Sequence, residues 1–281
     1  SLTDSISSGR ASAQAQSYTF TKIADMGQNA VYCVGLSDTG TLIVTFLRGL
    51  PGVPQELWRG DGQTFTQVSA NTAGICASIN DLDEIAYIVS QPNTGVSSLV
   101  RNSNGTITTI ARSDAFPFLH PGRTHVPSLS TNGSVLFHAF GSCVFGGDSI
   151  YVGPPLTIVY DCLDGTLQTN TAYAVSMNDS LVATFTARAT ADGRNGVYRG
   201  SSIPLVDDGA RLGTAVINNS GTVAFLGTVN SAFAIHTTSD GIAFTRLSAI
   251  NPSLAPEFSM NDSGLVAHKG IDPNGFGAIF I

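Results

Sequence analysis

The side chains able to do chemistry in this chain are few, and their spacing says more than their number. Cys33 and Cys76 hold matching places, each shortly before a similar polar pair, Ser37-Asp38 and Asn80-Asp81. Cys143 and Cys162 flank two apolar segments further on that read as the second and third strands of the third repeat described below. Disulfides Cys33–Cys76 and Cys143–Cys162 are expected, and they need an oxidising compartment. No C-x-x-C pair is present, so a zinc centre is not expected. Among the histidines only His120 and His125 are close, in a Pro- and Gly-containing loop without acidic or thiol ligands at matching spacing. Asp83-Glu84 and Asp207-Asp208 read as solvated turn caps. There is no G-x-S-x-G elbow, phosphate-cradling loop or basic–aromatic patch. No catalytic residue, metal or cofactor is therefore assigned, and an enzyme is not expected.

Oxygen-rich turns are the next candidates. Asn, Asp and Gly cluster at six places, and alternate oxygens are what calcium wants. None carries the D-x-[DN]-x-[DN]-G run, so turn chemistry explains them better: Asn and Asp bond their own backbone, and Gly takes positive φ freely. Asn104, Asn132, Asn178, Asn218 and Asn261 also form N-x-[ST] sequons. Three of these, Asn178, Asn218 and Asn261, are themselves turn residues. Trp58, Tyr151 and Tyr198 recur in one type of strand and are candidate sugar-stacking platforms; packing between strands is the competing role.

The turns punctuate a repeat. Written N-D-x-G-x-V-A-F, it appears as SDTGTLIV from Ser37, NDLDEIAY from Asn80, STNGSVLF from Ser130, NDSLVAT from Asn178, NNSGTVAF from Asn218 and NDSGLVAH from Asn261. The copy at Asn178 reads one residue short. A period of about 40 to 50 residues points to propeller blades. Each turn follows a short inner strand and leads into an apolar one whose continuity suggests burial on both faces. A further strand follows as ELWRG, SLVRN, SIYVG, GVYRG, FAIHT and GAIFI, then an outer one as FTQVS, ITTIA, IPLVD and FTRLS. The sixth copy ends at Ile281 without an outer strand, and YTFTKIAD (Tyr18–Asp25) is the missing piece. The expected fold is an all-β, six-bladed β-propeller over residues 18–281, closed by that N-terminal strand. No segment has a helical period.

The repeat resembles the bacterial extracellular tandem-repeat proteins marked by an N-x-x-G-x-x-A-F motif. Asn218–Phe225 fits fully; Ser37 and Ser130 replace Asn, and Asp83 replaces Gly. The resemblance implies secretion and a repeat fold. It carries over no catalytic residue.

Composition agrees with an exported β protein. Charged residues are 12% of the 281, against about 25% usually, and hydrophobic residues are 42%. With a net charge of −7 and 13 Lys and Arg spread singly, a nucleic-acid partner is not expected. No run of about 18 apolar residues could span a membrane. A start at Ser1 rather than Met fits a processed, secreted chain.

Ser1–Ser17 stands outside the repeats as an N-terminal extension. Leu2, Asp4 and Ile6 alternate with small polar residues, as do Ala11, Ala13 and Ala15. Small side chains at every second position suit a strand added to another sheet. The expected function is a secreted, non-enzymatic structural protein that assembles with other copies of itself, as a filament or surface layer, through this arm. A lectin binding glycans with one site per blade is the alternative. A propeller hydrolase or lyase would need carboxylates or histidines gathered at a channel mouth.

Overall fold

Antiparallel sheets, built in chain order from units of three to five strands, make up the computed structural model. It describes residues 30–37, 39–47, 55–61, 64–72, 77–91, 94–114, 126–140, 148–160, 167–169, 175–200, 203–207, 213–249, 258–271 and 277–280. The first sheet joins two units: β1 (Ala30–Leu36), β2 (Leu42–Leu47), β3 (Gln55–Gly60) and β4 (Phe65–Thr72), then β5 (Ser78–Ile79), β6 (Ile85–Ser90), β7 (Ser97–Ser103) and β8 (Thr106–Arg112). Only the pair Thr72–Val89 links β4 to β6. The second sheet holds β9 (Ser128–Leu129), β10 (Val135–Phe140), β11 (Asp148–Gly153) and β12 (Thr157–Tyr160). The third holds β13 (Leu167–Thr169), β14 (Ser176–Met177), β15 (Ala183–Ala189), β16 (Asn195–Arg199) and β17 (Pro204–Asp207). The fourth holds β18 (Ala215–Ile217), β19 (Val223–Val229), β20 (Ala232–Thr238) and β21 (Thr245–Ala249). The last has three strands, β22 (Phe258–Met260), β23 (Val266–Ile271) and β24 (Gly277–Phe280).

The sheets pack face to face, each on the next, because the second strand of a unit such as β6, β10 or β19 is apolar on both sides. In β19, Val223 and Phe225 join Val197, Val206, Ala215 and Ile217 in one buried cluster. The alternate residues, Ala224 and Leu226, face the other way, onto Ile235, Phe258 and Val266. Side chains alternate across a strand, so V-A-F-L feeds two cores at once. The same division recurs in β10. Val135 and Phe137 pack with Ala86, Ile88 and Leu99, while Leu136 packs with Met177, Phe185 and Tyr198.

All six motif turns share one hydrogen-bond pattern. The N–H of the fourth residue donates to the carbonyl of the first, as in Gly40 to Ser37, Asp83 to Asn80 and Gly221 to Asn218. The N–H of the first donates to the carbonyl of the fifth. The fourth residue has positive φ every time: 86° at Gly40, 59° at Asp83, 82° at Gly133, 60° at Leu181, 83° at Gly221 and 83° at Gly264. A type I turn followed by a left-handed residue is a standard hairpin solution, and Gly makes it at least cost.

One correction follows. The copy at Asn178 is not one residue short. Leu181 donates to the Asn178 carbonyl like the glycines, and Ala183 pairs with Met177 as Val223 pairs with Ile217. The glycine is replaced, not deleted. The third unit has the outer strand expected between Cys143 and Cys162, β12, although it carries no match to the FTQVS-type signature.

Leucine in the left-handed region costs about 1 kcal/mol or more, and Leu181 is 44% exposed, so little packing offsets it. Leu181→Gly is expected to stabilise the protein by about 1 kcal/mol. Urea unfolding followed by circular dichroism checks this.

Candidate functional site

The polar motif residues converge on the end of the fold where the inner turns lie, and there they bond from one repeat to the next. The first residue of each turn is the hub. Asn178 Oδ1 accepts the N–H of Val182, and Asn218 Oδ1 accepts that of Thr222, each at 2.9 Å. The same carboxamides donate forward: Asn80 Nδ2 to the Ser130 carbonyl at 2.9 Å, Asn178 Nδ2 to Asn218 at 3.3 Å and Asn218 Nδ2 to Asn261 at 3.4 Å. Asn80, Asn178 and Asn218 are buried, while Asn261 is exposed.

The second turn residue makes another link. The N–H of Thr131 donates to Asp179 Oδ1, that of Asp179 to Asn219 Oδ1, and that of Asn219 to Asp262 Oδ1, at 2.7, 2.7 and 2.9 Å. Asn219 Nδ2 also donates to Asp179 Oδ2 and to Asp262 Oδ2, both at 2.8 Å. One neutral amide thus separates two carboxylates that would otherwise repel. The serine two residues before the turn adds a third link: Ser128 Oγ accepts the N–H of Met177, and Ser176 Oγ that of Ile217.

Arginines clamp the fourth residue of the following turn. Arg101 donates to the Gly133 carbonyl at 2.7 Å and Arg199 to that of Gly221 at 2.9 Å. A Cβ on Gly133 would collide with the Arg101 guanidinium. At the second turn the fourth residue is Asp83, and Arg59 reaches its carboxylate instead, at 3.3 Å. Ser37 and Thr39 of the first turn donate to the other Asp83 oxygen. Burial pushes the Asp83 carboxyl up. Hydrogen bonds from Thr41, Thr39 and Ser37, with the charge of Arg59, outweigh that and hold it below the usual carboxylate range.

The remaining sequence candidates fall elsewhere. Tyr198 is buried and stacks on Phe185 with centroids 5.5 Å apart, so it offers no face to a sugar. Tyr151 is half-buried against Phe137 at 5.8 Å. His236 takes the same cross-strand position beside Phe225, at 5.7 Å. These are cross-strand pairs of neighbouring strands. Trp58 is half-buried beside Leu42 and Val44, with its indole N–H on Glu56. Asn104 is exposed at the tip of the β7–β8 hairpin. Cys76, Cys143, Cys162, His120, His125, the arm residues Leu2, Ile6, Ala11, Ala13 and Ala15, and Tyr18–Asp25 lie outside the described residues, as does the side chain of Cys33. The cross-repeat bonds were not foreseen from sequence. The available signal was the choice of Asn, which both donates and accepts, at the head of four turns.

No family model matches the chain, and no curated protein matches it by sequence. Solved structures do resemble it. TolB from Acinetobacter baumannii superposes with a TM-score of 0.58 and 19% identity, over 86% of this chain and 61% of TolB. The β-propeller domain of the Trilobed protease from Pyrococcus furiosus, described as having an open velcro topology, gives 0.56 and 9%, over 89% and 78%. Prolyl oligopeptidase B from Galerina marginata gives 0.54 and 11%, over 89% of this chain and 40% of that one. The chain thus spans about three-fifths of TolB and two-fifths of the oligopeptidase. At these identities the likeness establishes the fold alone, and that fold is an all-β propeller.

The comparison overturns the expectation that the chain is not an enzyme. The fold is shared with prolyl oligopeptidase B and with a puromycin-hydrolysing peptidase from Mycobacterium tuberculosis, at a TM-score of 0.52. A propeller chain without a visible nucleophile is therefore no ground for denying a part in catalysis.

Two expected outcomes test the turn network. Asn218→Ala leaves the half-buried Thr222 N–H without its partner and removes the forward bond of a buried carboxamide, costing about 2 kcal/mol; Asn261→Ala, at an exposed turn, costs under about 1 kcal/mol. Chemical denaturation of both variants compares them. Because the folded Asp83 carboxyl sits below its ordinary value, its stabilisation is present above about pH 4 and drains away as the pH falls through the folded value. Asp83→Asn keeps a residue tolerant of positive φ and lacks that titration. Its stability is expected to fall less than that of the natural protein below about pH 4, read as melting temperature against pH.

Proposed function

We propose that the chain is a six-bladed propeller, closed by Tyr18–Asp25 as the outer strand of its last blade. We further propose that it is a secreted structural subunit joined to other copies through Ser1–Ser17. The observation that carries this reading is where the repeated polar groups are spent. The motif Asn, Asp and Ser oxygens accept N–H groups of their own or an adjacent repeat, so the repeats serve the architecture. Six turns of one hydrogen-bond pattern and a last sheet with three strands among the described residues support six blades closed by a strand from elsewhere in the chain. The likeness of YTFTKIAD to FTQVS makes Tyr18–Asp25 that strand. The Cys33–Cys76 and Cys143–Cys162 pairs belong to the same extracellular reading.

Two truncations separate the parts. Removing residues 1–17 is expected to leave the melting temperature unchanged and reduce the protein to monomers in multi-angle light scattering. Removing residues 1–25 is expected to lower the melting temperature as well. An unchanged particle size after the first truncation would refute assembly through the arm, and equal melting of the two would refute closure.

A further inference from the structure

The outer strands of the units differ in how they meet solvent, and the difference singles out one of them. An exposed edge strand presents unpaired N–H and C=O groups, which proteins usually blunt with charge, proline or polar residues. β17 begins with Pro204, β21 carries Arg246, β8 ends on Arg112 paired with Asp114, and β4 exposes Thr66, Gln67 and Asn71. β12 carries no charge, and aliphatic residues rather than polar ones dominate its exposed stretch despite Thr157 at its start and Pro155 just before it. Its residues Thr157, Ile158 and Val159 are all exposed, Ile158 by 50% and Val159 by 37%, with Leu156 beside them at 37%. From Thr157 to Val159 the strand is open to solvent, Tyr160 alone being buried, and among the described residues no strand pairs with its outer side.

Resting on the assembly reading above, we infer that β12 is the edge that receives the Ser1–Ser17 arm of a second copy. The two are complementary in kind. The arm carries only Asp4 and Arg10 as charges, with apolar Leu2 and Ile6, then Ala11, Ala13 and Ala15, at alternating positions. Added beside β12, one face of such a strand would lie along Ile158, and its backbone would fill the open ladder. Seventeen extended residues reach roughly 55 Å, enough to leave one propeller and lie on another. Donor and acceptor are different surfaces, so the contact is head to tail and propagates.

Full-length chains test this by complementation. Val159→Lys puts a charge on the acceptor edge and leaves the arm intact, whereas the double change Leu2→Asp with Ile6→Asp spoils the arm and leaves the edge. Each variant alone is expected to sediment as a 29.1 kDa monomer with unaltered melting. An equimolar mixture is expected to stop at dimers, because one good arm meets one good edge. Thr157→Lys, exposed on the same strand, is expected to act like Val159→Lys and guards against a folding artefact at one position. If Val159→Lys and Thr157→Lys assemble like the natural chain while the arm variant does not, the arm docks elsewhere: β12 is refuted and the assembly reading stands. If the natural chain is itself monomeric, both fall.

Discussion

One carboxamide doing two jobs is the constraint on which the inner rim depends. The inner strands β5, β9 and β14 are two residues long, so the ladder there supplies very few hydrogen bonds. The turn after each must be fixed by something other than sheet. Asn218 supplies it, with Oδ1 closing its own turn and Nδ2 reaching the next. Aspartate could accept but not donate forward, and serine has a single proton to give. The two serine-headed turns spend that one proton differently. Ser37 Oγ accepts from Thr41 and donates to Asp83. Ser130 Oγ donates within its own turn, to Asn132, and the link forward passes to the Thr131 N–H and Asp179.

Polar and apolar links run in the same direction. Each turn bonds the next turn, and each two-faced strand joins the core before it to the core after it. Such a chain of nearest-neighbour contacts has the energetics of a repeat array. Loss of Phe225, for example, opens the cluster shared with Val197 and Ile217 and removes the stacking partner of His236. Buried side chains in the β10, β15 and β19 strands therefore tie together units far apart in sequence.

Much of this was legible in the sequence because it is local. Turn residues, strand alternation and a regular period locate the strands, and V-A-F announces a strand buried on both faces. What escaped is either non-local or an exception to local rules. The forward bonds of Asn178 and Asp179 span some 40 residues, and no windowed pattern records them. The turn at Asn178 looked shortened because Leu occupies a conformation that sequence reasoning reserves for Gly. β12 lies where a strand was expected, before Cys162, although TIVY lacks the signature of the other outer strands. Tyr198 looked available as a sugar platform because a strand's alternation does not say whether the face it uses meets solvent or another ring.

The fourth turn position shows how an exception is absorbed. At Gly133 the bare backbone lets the Arg101 guanidinium settle on the carbonyl where a Cβ would collide with it, while Arg199 reaches the Gly221 carbonyl from a side that a Cβ would leave open. Where Asp83 stands, its side chain offers the arginine a carboxylate in place of the carbonyl, so the clamp from Arg59 survives. The strand register places Val152, opposite Leu136, where Arg199 stands opposite Thr184. The turn that follows Val152 is the one headed by Asn178, with Leu181 in fourth place. The one aliphatic fourth residue thus comes after a unit that has no arginine to place. Without a guanidinium seeking that carbonyl, nothing in the neighbouring unit demands a bare backbone. The strain of a left-handed leucine then remains a local cost, separable from the cross-repeat network.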